Sequence, residues 1–179
     1  MRESLEHRAA ALEVRAKGRK LEGYAAIFGV ETRIGPITES IRAGAFAGAL
    51  SDGRDVLALV DHSPAALLAR SKSGTLRLAQ DSRGLSFELD VPDTTTGRDV
   101  LALAERGDLG GASFGFRPSA AGEIWQGKSR TLTNIDLREV SIVQAFPAYA
   151  QTTVAARSAS KSVRLALSRR LLEIAEAGR

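Results

Sequence analysis

The chain has no cysteine and only two histidines, His7 and His62. A disulfide framework, a thiolate zinc site, an iron–sulfur cluster and a cysteine nucleophile are therefore excluded, and neither a metal centre nor an organic cofactor is expected. Aromatic residues make up 5% of the sequence, too few for a base-stacking platform, so the core must come mainly from Ala, Leu, Val and Ile. No apolar run approaches the roughly 18 residues that a membrane span needs. The opening MRESLEHRAAALEVRAKGRK is charged throughout and has no apolar stretch of the secretory type, so synthesis in the cytosol is the expectation. What remains is ordinary: 179 residues, 44% hydrophobic and 26% charged, suit one compact domain with appended tails.

The net charge of +4 is unevenly placed. Residues 151–179 carry six basic side chains (Arg157, Lys161, Arg164, Arg169, Arg170 and Arg179) against Glu173 and Glu176, which is the whole excess. The preceding 150 residues are neutral in sum, with no phosphate-neutralising stripe. A basic nucleic-acid-associated protein is thus a third-rank reading, and no direct nucleic-acid partner is expected. The basic tail reads either as a solvated helix or as a tether to an acidic partner.

Hydrophobic periodicity predicts a mainly β body. ALEVRAK and LEGYAAIF read as strands around Gly18, with a bulge or close approach at Gly23. Residues 31–42 look irregular about Gly35-Pro36, and AGAFAGAL (43–50) reads as a short helix. DVLALV (55–60) is a buried strand leaving through Ser63-Pro64, and Thr75–Gln80 is another strand. Leu85–Val91 alternates without a fault. Asp93–Thr96 offer an N-cap choice for a helix at about 96–106, with Gly107 as its C-terminal stop. Strands follow at 110–116, 131–136 and 139–144, with a polar loop at 118–129 that holds Trp125. Val163, Leu167, Leu171 and Ile174 then line one face of a helix. Short, closely spaced strands suggest closure into a small antiparallel β-barrel with flanking helices. The expected organisation is an N-terminal strand or arm over 1–19, a β domain over 20–157, and a basic amphipathic helix over 158–179.

Three residues carry candidate chemistry. His62 ends an apolar strand beside Asp61, Ser113 lies in GASFGF, and Glu139 opens EVSIVQ. They supply an oxygen nucleophile, a base for its proton, and a group to orient that base, which is what serine hydrolysis requires. Small neighbours of Ser113 allow close approach of an acyl group, and backbone N–H groups around Gly111 and Ala112 are candidate oxyanion donors. Each residue also has a plain structural reading: a strand-end histidine is usually structural, and a strand serine is usually packing. Ser113 lies in no G-x-S-x-G elbow.

Five ordered blocks add a resemblance. LEGYAAIFG, ESIRAGAFAGAL (an E-x-I-x-x-G-A-F segment), LALVDHSPAALLARSKSGTLRLAQDSRGLSFELDVPDT, LAERGDLGGASFGFRP and LREVSIVQAFPAYAQTTVAARS resemble the prohead proteases of tailed bacteriophages over residues 20–157. That family is similar in fold to the herpesvirus assemblins, so the resemblance implies an assemblin-type barrel with flanking helices. It implies His62 as general base, Ser113 as nucleophile and, because the only other histidine lies at position 7, a carboxylate as third member. Glu139 in R-E-V-S is the candidate, Asp61 the competitor, and Arg138 a candidate oxyanion support. It further implies a serine endopeptidase that cuts the capsid protein's scaffolding segment and itself inside the assembling prohead, in the bacterial host cytoplasm. A homodimer of the assemblin kind would fit, and no membrane partner is implied. The alternative from another class is a proteolytically inactive assembly or scaffolding protein that keeps the fold.

Overall fold

The computed structural model describes residues 5–10 and 14–145. In chain order its elements are β1 (Glu6–Ala10), β2 (Val14–Lys17), β3 (Lys20–Ile27), β4 (Thr32–Ile34), β5 (Ile37–Ile41), α1 (Ala47–Ser51), β6 (Leu57–Val60) and β7 (Ser63–Arg70). They continue as β8 (Leu76–Gln80), β9 (Gly84–Asp90), α2 (Thr95–Arg106), β10 (Gly111–Arg117), β11 (Glu123–Gln126), β12 (Ser129–Leu132) and β13 (Asp136–Val143). A single 3-10 turn, Ala120–Gly122, precedes β11.

The strands form three sheets, ordered β1-β10-β13-β6-β7, β11-β12-β5-β4 and β2-β3-β9-β8. This corrects the expected closed antiparallel barrel. None of the three sheets closes on itself, and two pairings, β12 with β5 and β13 with β6, are parallel. Alternation along a short run tells which face of a strand is buried. It does not tell which distant strand it pairs with, and closure depends on that. The expected C-terminal helix lies outside the described residues.

Local elements follow the sequence more closely. β9 alternates between core and surface as expected, with Leu85, Phe87 and Leu89 buried. Thr94 caps α2 by accepting from the Gly97 N–H at 3.1 Å, and the helix ends at Gly107, whose φ of +72° is a left-handed stop that glycine takes without strain. A bulge in β3 falls at Ala25, two residues beyond Gly23. Residues 32–41, expected to be irregular, form the β4–β5 hairpin around Gly35-Pro36. The 118–129 loop contains β11, an edge strand that carries the exposed Trp125. β7 was not expected, because Ser63-Pro64 reads as an exit turn. Pro64 is accommodated because β7 is an edge strand and proline there removes no ladder bond from an interior neighbour. The core gathers Leu21, Phe46, Leu89, Phe114, Phe116, Leu137 and Ile142. Phe46 meets Phe114 edge-to-face, with ring centroids 5.4 Å apart.

A buried ionic cluster fixes β1 to the rest. Glu39 of β5 is 3% exposed and takes both Arg8 of β1 and Arg130 of β12, with Arg8 Nη2 at 2.9 Å and Arg130 Nη1 at 3.0 Å from its Oε2. Arg130 also holds Glu6 at 2.8 Å and contacts Glu123. Burial acts to raise the Glu6 pKa, but the bonds from Arg130 and Arg8 outweigh it and hold the carboxyl below its ordinary value. Removing the central carboxylate takes from two buried guanidinium groups the anion they share, leaving Arg8 with Glu6 and Arg130 with Glu6 and Glu123. Glu39→Ala is therefore expected to lower unfolding free energy by about 3 kcal/mol, read as a shifted urea midpoint at unchanged slope.

Candidate active site

His62 sits on a two-residue hairpin loop. Val60 and Ser63 are register partners, so Asp61 and His62 alone make the turn from β6 to β7. Their φ values are +46° and +60°. A type I′ turn requires both to be positive and usually takes Asn-Gly, so a histidine here is held in a costly conformation. Three bonds to β13 and the residue after it hold it: Asp61 N–H donates to the Ile142 carbonyl at 3.0 Å, Gln144 N–H donates to Asp61 Oδ1 at 3.0 Å, and His62 N–H donates to Ser141 Oγ at 3.3 Å. The Asp61 carboxylate is thus spent on the backbone just past β13. The expected exit turn at Ser63-Pro64 lies two residues earlier, at Asp61-His62.

Glu139 is the group that meets the imidazole. Its Oε1 contacts His62 Nδ1, and its Oε2 accepts from Ser141 Oγ at 2.8 Å. The carboxylate is almost wholly buried. The antiparallel pairing of β10 with β13 sets Gly115 opposite Glu139 and Ser113 opposite Ser141. Cross-strand partners share a face, and so do residues two apart along a strand. Ser113, Gly115, Glu139 and Ser141 therefore project from one side of the sheet. Ala9 and His7 of β1 pair with Ser113 and Gly115 and join the same face.

His7 lands on the site from the far end of the chain. Its Nε2 is 3.4 Å from Glu139 Oε1, and its ring centroid is 4.0 Å from that of His62. Burial, and then the neighbouring His62, lower its pKa below the ordinary histidine value, against the pull of the Glu139 carboxylate.

Ser113 is fully buried, and its hydroxyl donates to the Arg8 carbonyl of β1 at 2.9 Å. It makes no hydrogen bond to His62 in this conformation. Gly111 and Ala112 open β10 opposite Val143 and Ile142, and Gly111 has a φ of +138° that suits glycine. Arg138 is the extra residue of a bulge in β13, between Leu137 opposite Phe116 and Glu139 opposite Gly115. Its guanidinium pairs with Asp136 and is not among the side chains gathered at Glu139.

The structure thus brings His62 and Glu139 into contact and sets Ser113 two register pairs along the same face. Sequence reasoning passed over two neighbours. Ser141 was legible, since a residue two after Glu139 in a strand must share its face. His7 was not, since only the long-range pairing of β1 with β10 delivers it.

Gly115 leaves the space that the carboxylate fills. A Cβ there would come within 2.6 Å of Glu139 Oε1 and 2.9 Å of His7 Cδ2. Both atoms belong to side chains that can move, so the fold should tolerate Gly115→Ala while the carboxylate shifts. If the site is catalytic, turnover is expected to fall about 100-fold, as a misplacement near 1 Å commonly costs, with little change in melting temperature.

This geometry can orient an imidazole, hold its tautomer, and offer a nearby hydroxyl for deprotonation. No curated protein matches the chain. The model of the caudovirus prohead serine proteases matches residues 4–165, a longer span than the five blocks of resemblance. On that match, the chain belongs to the caudovirus prohead serine protease family, the serine peptidases of phage capsid maturation.

Proposed function

We propose that this chain is a serine endopeptidase that cleaves the scaffolding segment of the capsid protein, and itself, during prohead maturation, with His62, Ser113 and Glu139 as its triad. The observation that carries the reading is the contact of His62 Nδ1 with Glu139 Oε1 on the face that also bears Ser113. A carboxylate at Nδ1 fixes the proton there and leaves the Nε2 lone pair free. The mechanism requires the Ser113 side chain to leave the Arg8 carbonyl and turn its hydroxyl toward that lone pair; catalytic hydrogen bonds are often unmade before substrate binds. His62 Nε2 takes the Ser113 proton as Oγ attacks the peptide carbonyl carbon. Backbone N–H groups around Gly111–Ser113 receive the oxyanion. The imidazolium, stabilised by Glu139, then protonates the leaving amine, and water releases the acyl group by the same steps.

The substrates are the capsid protein's scaffolding segment, or a separate scaffold, and a second copy of the chain. Confinement within the shell raises their effective concentration, so modest turnover suffices.

One observation favours a second reading, an inactive assembly protein with the same fold: the Ser113 hydroxyl is bonded to β1 and not to His62. Co-expression with the capsid protein separates the two. The proteolytic reading expects intact-mass spectra of assembled capsid protein to show loss of an N-terminal segment. A full-length capsid protein would support the inactive one.

A further inference from the structure

The sequence holds two histidines, and the fold brings both to one carboxylate. One donor atom each from His7, His62 and Glu139 lies within 4.8 Å of the other two. His7 Nε2 and Glu139 Oε1 are 3.4 Å apart, which matches the edge of a tetrahedron whose corners stand about 2.0–2.1 Å from a central Zn2+. His62 Nδ1 and Glu139 Oε1 are in hydrogen-bond contact, and a metal ion bound between them would displace the bridging proton to solvent.

The surroundings suit an ion as well as the donors do. Glu139 Oε2 accepts from Ser141 Oγ, the outer-shell bond that commonly fixes a metal-binding carboxylate. His7 is anchored because its neighbours Glu6 and Arg8 are locked into the ionic cluster with Glu39 and Arg130. Both imidazoles are partly exposed, at 35% and 22% of their side chains, so an ion has a path in and a fourth position open to water. Imidazole and carboxylate donors in this number suit Zn2+, and Co2+ as its spectroscopic stand-in, rather than Mg2+ or Ca2+.

We infer that His7, His62 and Glu139 form a binding site for a Zn2+-type divalent ion, and that the ion silences the chain by occupying its general base. The binding half stands on the geometry alone. The silencing half rests on the proteolytic reading above. An ion on His62 Nδ1 breaks the contact with Glu139 that orients the ring, and adds positive charge where the imidazole must accept a proton. Such an ion is an inhibitor of the reaction and takes no part in it.

The test uses the full chain, stripped with a chelator and titrated with Co2+ and then Zn2+. Wild type should show the visible absorption of four-coordinate Co2+, lost on adding Zn2+. Zn2+ should also raise the melting temperature and stop cleavage of the capsid precursor, and chelator should restore it. His7→Gln and, separately, His62→Gln should each weaken Co2+ binding about 100-fold or more, since each removes one of only three protein ligands. Whatever cleavage His7→Gln retains should no longer respond to Zn2+ at the concentration that stops wild type. Failure of wild type to bind Co2+ or Zn2+, or equal binding by wild type and both variants, overturns the proposed site. Cleavage equally sensitive to Zn2+ in wild type and His7→Gln overturns the silencing. A chain that binds Co2+ through His7 but cleaves nothing would sink the proteolytic reading and leave the metal site standing.

Discussion

Ser113→Ala should abolish processing of the capsid precursor, lowering turnover by about 10^4-fold or more, because removal of the nucleophile leaves only binding and oxyanion stabilisation. The fold should survive. The hydroxyl's bond to the Arg8 carbonyl is a neutral one, worth about 1 kcal/mol, and alanine fills nearly the same buried volume. Far-ultraviolet circular dichroism and the urea midpoint check this. Ser141→Ala is the matched control. It removes the hydroxyl opposite Ser113, the one that donates to Glu139, so it loosens the carboxylate but keeps the nucleophile, and measurable turnover should remain. Equal loss in both variants, or greater loss in Ser141→Ala, would move the nucleophile to β13.

Glu139→Gln should cost nearly as much, about 10^3- to 10^4-fold in kcat, with little change in KM. The amide is close in shape, so packing around it should hold. Its chemistry is not the same. If the amide NH2 faces His62 Nδ1, the imidazole must place its proton on Nε2, and no lone pair remains for Ser113. If the amide oxygen faces Nδ1, the tautomer is right but the negative charge that stabilises the imidazolium is gone. Stability should be unchanged or slightly higher, since the variant no longer keeps a charge in a site that is almost closed to water. A melting temperature that collapses with activity would show instead that Glu139 serves the fold.

Which side chains gather at the candidate site was easier to read in the sequence than how the sheets are built. Ser113 and Glu139 were readable because each lies in a run whose strand character is plain, and the chosen carboxylate is the one that meets His62. Asp61, the competing carboxylate, lies in a two-residue turn and accepts from the Gln144 N–H. Proline at position 64 disguised that turn, because Ser-Pro looks like an exit and the strand runs on through it. The closed barrel failed for a related cause. Hairpin neighbours can be inferred from spacing, but the parallel pairings of β13 with β6 and β12 with β5 join segments some 80 to 90 residues apart, and nothing in either segment names its partner. His7 escaped for the same reason. Its place is set by Arg8 and Glu6 locking into Glu39 and Arg130, a cluster assembled from four separate strands with Glu123. The E-x-I-x-x-G-A-F block does gain a physical meaning: Glu39 centres that cluster, and Ala45 and Phe46 are buried in the core beside Phe114.

The measurement that bears most directly on the triad is reaction of the full chain with a fluorophosphonate, followed by peptide mass spectrometry. The account predicts one covalent adduct, on Ser113, formed by wild type and lost in both His62→Ala and Glu139→Gln. An adduct on Ser141, or labelling of Ser113 that persists at the same rate without His62, would contradict it.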